Sequence, residues 1–218
     1  LNEQDAIVRV LASIPSALVD DIIVVDNGST DATAQRASDA GARVIHEPRR
    51  GYGQACLTGI AALRPETQTV VFLDGDYSDH PEQLGRLLVP LKEGRADLVI
   101  GSRVLGEREP GALLPQARFG NALATFLIRF LYGVRYTDLG PFRAIRRGPL
   151  ERLGMADRDF GWTVEMQVKA ARLGVPATEV AVSYRRRLAG DSKVTGTLSG
   201  TFRAGWKILS TIFRFARG

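Results

Sequence analysis

Asp74-Gly75-Asp76 is the stretch of this sequence with the most evident chemistry. Carboxylates two residues apart on a turn can both face one cation, and the glycine between them lets the backbone bend. Oxygen-only ligation of this kind suits Mg²⁺ or Mn²⁺, which bind one or two carboxylates and complete their shell with water and substrate phosphates. The pair closes the apolar run Val70-Val71-Phe72-Leu73. Aspartates ending a buried strand are costly as structural residues, because unpaired charge is expensive to bury. Many loops match Asp-x-Asp, so the position of this DxD motif at a strand end carries the weight.

Two further strand ends have polar chemistry. Val24-Val25 runs into Asp26-Asn27-Gly28-Ser29-Thr30-Asp31, which reads either as a ligand-facing turn or as a turn and helix N-cap of the residue types favoured there. Asp97–Ile100 runs into Gly101-Ser102-Arg103, where the arginine is suited to a diphosphate or to Asp74 or Asp76. His80 is read as the neighbour of a helix start and His46 as non-catalytic. Cys56, the single cysteine, reads as a helix-packing residue, and its solitude excludes an internal disulfide.

The elements that must position these residues alternate. Short β-branched runs at 21–25, 43–46, 69–73 and 97–100 alternate with helix-like stretches at 5–13, 32–39, 54–63 and 81–91, the last opened by Pro81 and Glu82. That order predicts an α/β fold with a mostly parallel sheet flanked by helices. Ligands then bind beyond the carboxyl ends of the strands. Further on, the spacing predicts a helix over 118–132 with Phe119, Leu123, Phe126, Leu127 and Phe130 on one side. Another helix is expected near 164–173, a strand over 178–184 and a last amphipathic helix over 198–215. The last helix carries Leu198, Phe202, Trp206, Leu209 and Phe213 opposite Arg203, Lys207 and Arg214. Its stripe reads as core packing or as an interfacial helix leaning on an anionic bilayer.

The 218 residues suit one domain, 1–218, and the 44 % apolar and 24 % charged content argues against extensive disorder. Lys and Arg exceed Asp and Glu by 29 to 24, which favours anionic partners. The basic residues are scattered without interleaved aromatic platforms, so nucleic acid is not expected. Arg185-Arg186-Arg187 reads as a solvated face or, with the glycine and Ser192-Lys193 that follow, as a lid over anionic substrate. No signal peptide and no apolar run near eighteen residues is visible. The expected location is cytoplasmic, with peripheral contact on the cytoplasmic face of the membrane as an option. The chain opens at Leu1-Asn2-Glu3-Gln4 without methionine, consistent with a fragment.

Taken together, Leu1-Asn2-Glu3, VVDNGSTDAT (24–33), RRGYGQA (49–55), VVFLDGDYSDHPEQL (70–84), DLVIGSR (97–103), FGNALATFLIRFLYG (119–133), YTDLGPFRAIRR (136–147), FGWTVEMQVKAARLG (160–174) and SYRRRLAGDSK (183–193) resemble the inverting family-2 glycosyltransferases. The similarity is greatest to the dolichyl- and polyprenyl-phosphate sugar transferase branch. It implies the GT-A fold, a Rossmann-like α/β sandwich, and a UDP- or GDP-linked sugar donor. Asp26 resembles the aspartate at the nucleotide base, and Gly51 and Gly53 the glycine turn near it. Asp74 and Asp76 resemble the metal and diphosphate site, with Asp76 the direct ligand. Asp138 and Glu165 match acidic positions on the acceptor side, and Arg187, Ser192 and Lys193 a basic loop closing over phosphates. The sequence departs from the family where the strand before Asn-Glu is absent, where Asn27 replaces a second aspartate, and where Ser78 replaces a glutamine ligand.

The implied reaction is metal-dependent hexose transfer from a nucleoside diphosphate to a polyprenyl phosphate, with inversion. A hydroxyl acceptor would need a base, Glu165 first and Asp138 second, with Glu165 otherwise a helix-start carboxylate; a lipid phosphate would need none. A soluble small-molecule or glycan acceptor is the alternative within enzymes. A non-catalytic nucleotide-binding domain is the alternative outside them.

Overall fold

In a computed structural model, residues 1–188 and the backbone of 198–216 are described, with side chains from 205 onward in the last segment. The short β-branched runs do become strands, each ending where glycine, aspartate or serine takes over. In chain order the main elements are α1 (Ile7–Ser13), β1 (Ile23–Asp26), α2 (Thr33–Asp39), β2 (Arg43–His46), α3 (Tyr52–Ala61), β3 (Thr69–Phe72) and α4 (Leu84–Lys92). They continue as β4 (Leu98–Ser102), α5 (Pro115–Tyr132), β5 (Arg143–Arg146), α6 (Arg147–Leu153), α7 (Trp162–Arg172), β6 (Ala177–Ala181) and α8 (Leu198–Ala216). The result is a mixed α/β single domain.

The strands form two hydrogen-bonded groups among the described residues. β1 and β2 pair in parallel, bringing Asp26 level with His46. β3, β5, β4 and β6 lie side by side in that order. β5 is antiparallel to both neighbours, and β6 is parallel to β4. Three of these four strands therefore share a direction, and the pairing is more mixed than the strand–helix alternation predicts. β5 and α6 are absent from the expected elements, because Arg143 and Arg146 bracket β5 and mask its apolar centre. Arg143 is fully buried there, donating to the carbonyls of Gly140 (3.1 Å), Leu139 (3.1 Å) and Thr163 (2.9 Å). Its methylenes pack in the core while its guanidinium satisfies carbonyls that would otherwise be orphaned.

Trp162 anchors the core beneath the strands. It is fully buried, with its ring edge-on to Phe72 (4.7 Å) and to Tyr52 (6.3 Å). This fixes the start of α7 and the start of α3 against the end of β3, the three places from which the site is built. α5 begins on Pro115 and stops at Gly133, which takes the left-handed φ of 71° that ends helices cheaply.

The phenylalanine side of α5 does not face the core: Phe119, Phe126 and Phe130 are 72 %, 62 % and 75 % exposed, while Ala124 and Ile128 are buried. α8 behaves alike, with Thr211 and Ile212 buried and Trp206 and Phe213 largely exposed. The core-packing reading therefore does not hold for those two aromatic residues. No described helix is long and apolar enough to cross a membrane.

Candidate active site

The turn after β3 concentrates carboxylates. Asp76 is nearly buried; its Oδ1 accepts hydrogen bonds from the Ser78 amide (2.9 Å) and hydroxyl (2.6 Å), and its Oδ2 lies 3.1 Å from Nη1 of Arg187. Arg187 reaches Glu3 with its other terminal nitrogen, so one guanidinium bridges the N-terminal loop and the acidic turn. Asp79, which the sequence reading treated only as the lead into a helix, is the third member. It is 1 % exposed; Oδ2 accepts from the Asp74 amide (3.4 Å) and Oδ1 has no partner.

Crowding shows in the titration of the cluster. Burial, followed by the charge of Asp76, pushes the Asp74 carboxyl up to about 7, although the Tyr52 side chain donates to it. Burial and then Asp74 raise Asp79 well above the ordinary carboxylate range. Carboxylates that resist ionising together are the signature of a site lacking positive charge. The donor set is hard oxygen, as Mg²⁺ or Mn²⁺ requires, and the orphaned Oδ1 of Asp79 is a further acceptor. Among the described residues no three acidic, histidine or cysteine side chains already converge on one point, so an ion would take Asp74 and Asp76 and complete its shell from water and phosphate. The residues fit such an ion.

The turn owes its shape to the arginine run, whose members separate. Arg185 stacks on Tyr77 at 3.5 Å and donates to the carbonyls of Tyr77 (2.7 Å) and Asp79 (2.9 Å), which holds Tyr77 at φ 64°. Arg186 leaves for Glu109 and Pro110. Arg187 alone enters the cluster. Ser192 and Lys193 lie outside the described residues.

Opposite stands the end of β1. Asp26 is nearly buried, with Oδ1 accepting from the Ser29 amide (3.2 Å) and Oδ2 3.3 Å from Nδ1 of the exposed His46. Asn27 clamps the loop after β2: its amide donates to the carbonyls of Arg49 (2.7 Å) and Glu47 (3.1 Å), and its Oδ1 accepts from the Gly51 amide (2.8 Å). An aspartate could not make both donations, so asparagine has a local reason here. Hydrogen bonds from Thr58, Arg49 and Gln54 hold Glu47 down to about 2. Gly51 and Gly53 permit close approach: a Cβ on either would lie 2.1 Å from the carbonyl of Arg158 or Asp157. They dock the start of α3 onto the 157–158 backbone, and Gly51 also lines the groove.

These elements share a groove of about 1720 Å³. Asp26, Asn27, Arg50 and Gly51 line it together with Asp74 and Asp76, and Glu3, Arg158 and Arg187 line it too. Residues of β1 and β3, among them Val24, Val25, Val70 and Phe72, line it as well.

The acids expected to be catalytic do not line this groove. Asp138 is fully buried and gripped by Arg103 through Nε (2.8 Å), Nη2 (2.7 Å) and the backbone amide (2.8 Å). Arg103 thus forms no ion pair with Asp74 or Asp76, although its charge reaches Asp74 and Asp79 and opposes their rise, and it stacks at 5.0 Å on Tyr184. Glu165 is 2 % exposed, accepts from the amides of Ala156 (3.1 Å) and Asp157 (2.8 Å), and pairs with Lys169 (2.7 Å). None of Arg103, Asp138 and Glu165 lines the groove. The helix-start position of Glu165 was legible, but its inward rotamer onto the preceding loop was not. His80 pairs with Glu82 (2.7 Å) and does not line the groove, and burial pushes the Cys56 thiol up to about 12, so the thiol is not an available nucleophile.

Comparison with known proteins puts this geometry in context. The family model described as "Glycosyl transferase family 2" matches residues 1–154. An uncharacterised glycosyltransferase of Mycobacterium tuberculosis is 39 % identical over 215 residues, covering 96 % of this chain and 94 % of that protein. The undecaprenyl-phosphate mannosyltransferase of Micrococcus luteus is 32 % identical over 215 residues, covering 91 % and 86 %. Among solved structures, glucosyl-3-phosphoglycerate synthase from Mycobacterium tuberculosis in complex with Mn²⁺, UDP and phosphoglyceric acid superposes with a TM-score of 0.76 at 26 % identity, covering 99 % of this chain and 75 % of that one.

Proposed function

The chain belongs to glycosyl transferase family 2, and on that premise we propose that it transfers a hexose, with inversion, from a nucleoside-diphosphate sugar to a polyprenyl phosphate. The observation carrying this reading is the groove, lined by an under-neutralised acidic turn and by the Asp26–Asn27 turn. Asp26 and Arg50 would hold the nucleoside end of the donor. Asp74 and Asp76 would hold Mg²⁺ or Mn²⁺, which supplies positive charge to a departing diphosphate. Arg187, already on Asp76, is placed to move onto the same phosphates. Tyr52, bonded to Asp74, orients that carboxylate.

The acceptor follows from what Asp138 and Glu165 do. Both are buried away from the groove with their oxygens engaged, and we assign them to positioning: Asp138 holds Arg103, and Glu165 holds the 156–157 loop against which Gly53 docks. A hydroxyl acceptor needs a group to take its proton, whereas a lipid phosphate is already ionised. The undecaprenyl-phosphate mannosyltransferase named above supports the same acceptor class. A soluble phosphorylated acid is the second reading, favoured by the likeness to the 3-phosphoglycerate enzyme.

The test is a matrix of UDP- and GDP-linked hexoses with Mn²⁺ or Mg²⁺, against undecaprenyl phosphate and 3-phosphoglycerate, with the product's anomeric configuration read by NMR. Metal-dependent glycosylation of the lipid phosphate is expected. Transfer only to 3-phosphoglycerate would overturn the acceptor, and nucleotide binding without transfer to either would favour a non-catalytic domain.

A further inference from the structure

The most exposed aromatic surface of the molecule lies outside the groove, on two helices that pack together. Phe119, Phe126 and Phe130 on α5, and Trp206 and Phe213 on α8, range from 46 % to 76 % exposed. The two helices are tied where the Tyr132 hydroxyl donates to the Ile212 carbonyl. Phe126 and Phe130 stack on each other at 6.5 Å, so they form a continuous patch. Clustered exposed aromatics of this size mark a surface that something covers.

Charge indicates what covers it. Neither α5 nor α8 contains one aspartate or glutamate in its 18 or 19 residues. Arg118 and Arg129 each precede a patch phenylalanine by one residue, so both stand about 100° round the helix on the same flank. Together with Arg135 they are exposed, and none forms an ion pair with a described residue. Beside them runs a shallow groove lined by Arg108, Arg118, Arg129 and Arg135 with Phe119 and Phe126, and no carboxylate. Apolar aromatics flanked by unpaired arginines complement a surface that is apolar below and anionic at its boundary. A second copy of the chain fits less well, because a two-fold contact would set these arginines against each other.

We propose that the phenylalanine face of α5 docks on an anionic lipid bilayer, with the exposed Trp206 and Phe213 of the adjoining α8 as further contacts. The phenylalanines enter the acyl boundary and the arginines meet lipid phosphates. No span is involved, as both helices lie in the plane of the surface. The docked helix also holds the 137–139 loop, because Asn121 donates to the Thr137 carbonyl (2.9 Å) and accepts from the Leu139 amide (2.9 Å). Docking does not depend on the acceptor, so it stands or falls separately from the proposed reaction.

The experiment is co-sedimentation of the full chain with phosphatidylcholine vesicles, with and without phosphatidylglycerol and free of polyprenyl phosphate. Binding is expected only to the anionic vesicles, and added salt should weaken it. Arg118→Ser/Arg129→Ser should weaken partitioning about tenfold or more, since each basic residue near such a surface is worth about fivefold. Phe126→Ser/Phe130→Ser should weaken it at least tenfold at unchanged melting temperature, as exposed side chains add little to stability. Wild-type protein that ignores anionic vesicles would overturn the proposal, as would variants that bind like wild type. A wild-type dimer that the phenylalanine variant converts to monomer, with vesicle binding unaltered, would assign the patch to self-association instead.

Discussion

The turn after β3 and the buried junction of β4, α5 and α7 contain the same kinds of residue held in opposite ways. At the junction every carboxylate is satisfied: Arg103 grips Asp138 in a fork, Thr137 and Asp138 amides serve Glu179, and backbone amides with Lys169 serve Glu165. At the turn, Asp74, Asp76 and Asp79 crowd together, Asp79 has an unpartnered oxygen, and Arg187, which pairs with Asp76, is shared with Glu3. The junction acids are matched by donors, whereas the turn leaves an acid oxygen without one. The number of nearby donors, not the residue type, separates the two.

Removing an acid from the junction should cost the fold most. Asp138→Ala leaves Arg103 buried without its partner, and a loss of about 3–5 kcal/mol in urea unfolding is expected. A change below about 1 kcal/mol would mean that the pair is not structural, and the comparison would break there. The mirror experiment is Asp76→Asn. Transfer should fall by about 10²–10³-fold while the protein stays folded. Full activity would remove Asp76 from the metal site.

Glu165→Gln is intermediate. Its two amide donors lose a charged acceptor and Lys169 its partner, so stability should fall by about 1.5–3 kcal/mol. At a temperature where the variant is folded, kcat should stay within a few-fold of wild type. A drop comparable to that of Asp76→Asn would return Glu165 to catalysis.

The pH dependence of stability is the sharpest test of crowding. Asp74 titrates at 3.8 when unfolded and is raised to about 7 when folded, so between those values the native state binds the extra proton. Stability without divalent ions should therefore fall as pH rises from about 4 to about 7, then level off. The raised Asp79 contributes with the same sign. Mn²⁺ needs ionised carboxylates, so the melting-temperature gain it brings should grow across the same window. A flat profile in both conditions would mean that the acids are not crowded.

The strand ends were readable because their signals are local: β-branched runs stop at Asp26, Asp74 and Ser102, and a strand must end where a turn residue begins. The expected helices were found to within a few residues for the same reason. β5 was not legible, because its flanking arginines look like a polar loop until the carbonyls that Arg143 caps are known. Asp79 was hidden likewise: next to His80-Pro81 it looks like a helix lead-in. Its neighbours Asp74 and Arg185 reach it from five residues back and from 106 residues on.

The Asp74-Gly75-Asp76 turn, its place at a strand end and the family of the chain are all written in contiguous residues, because turn chemistry and hydrophobic runs act over a few positions. Which acids remain short of positive charge is decided by partners remote in sequence. Arg103 neutralises Asp138 across 35 residues, and Arg187 reaches Glu3 across 184. Charge pairing depends on distance through space, and only the folded chain sets that distance.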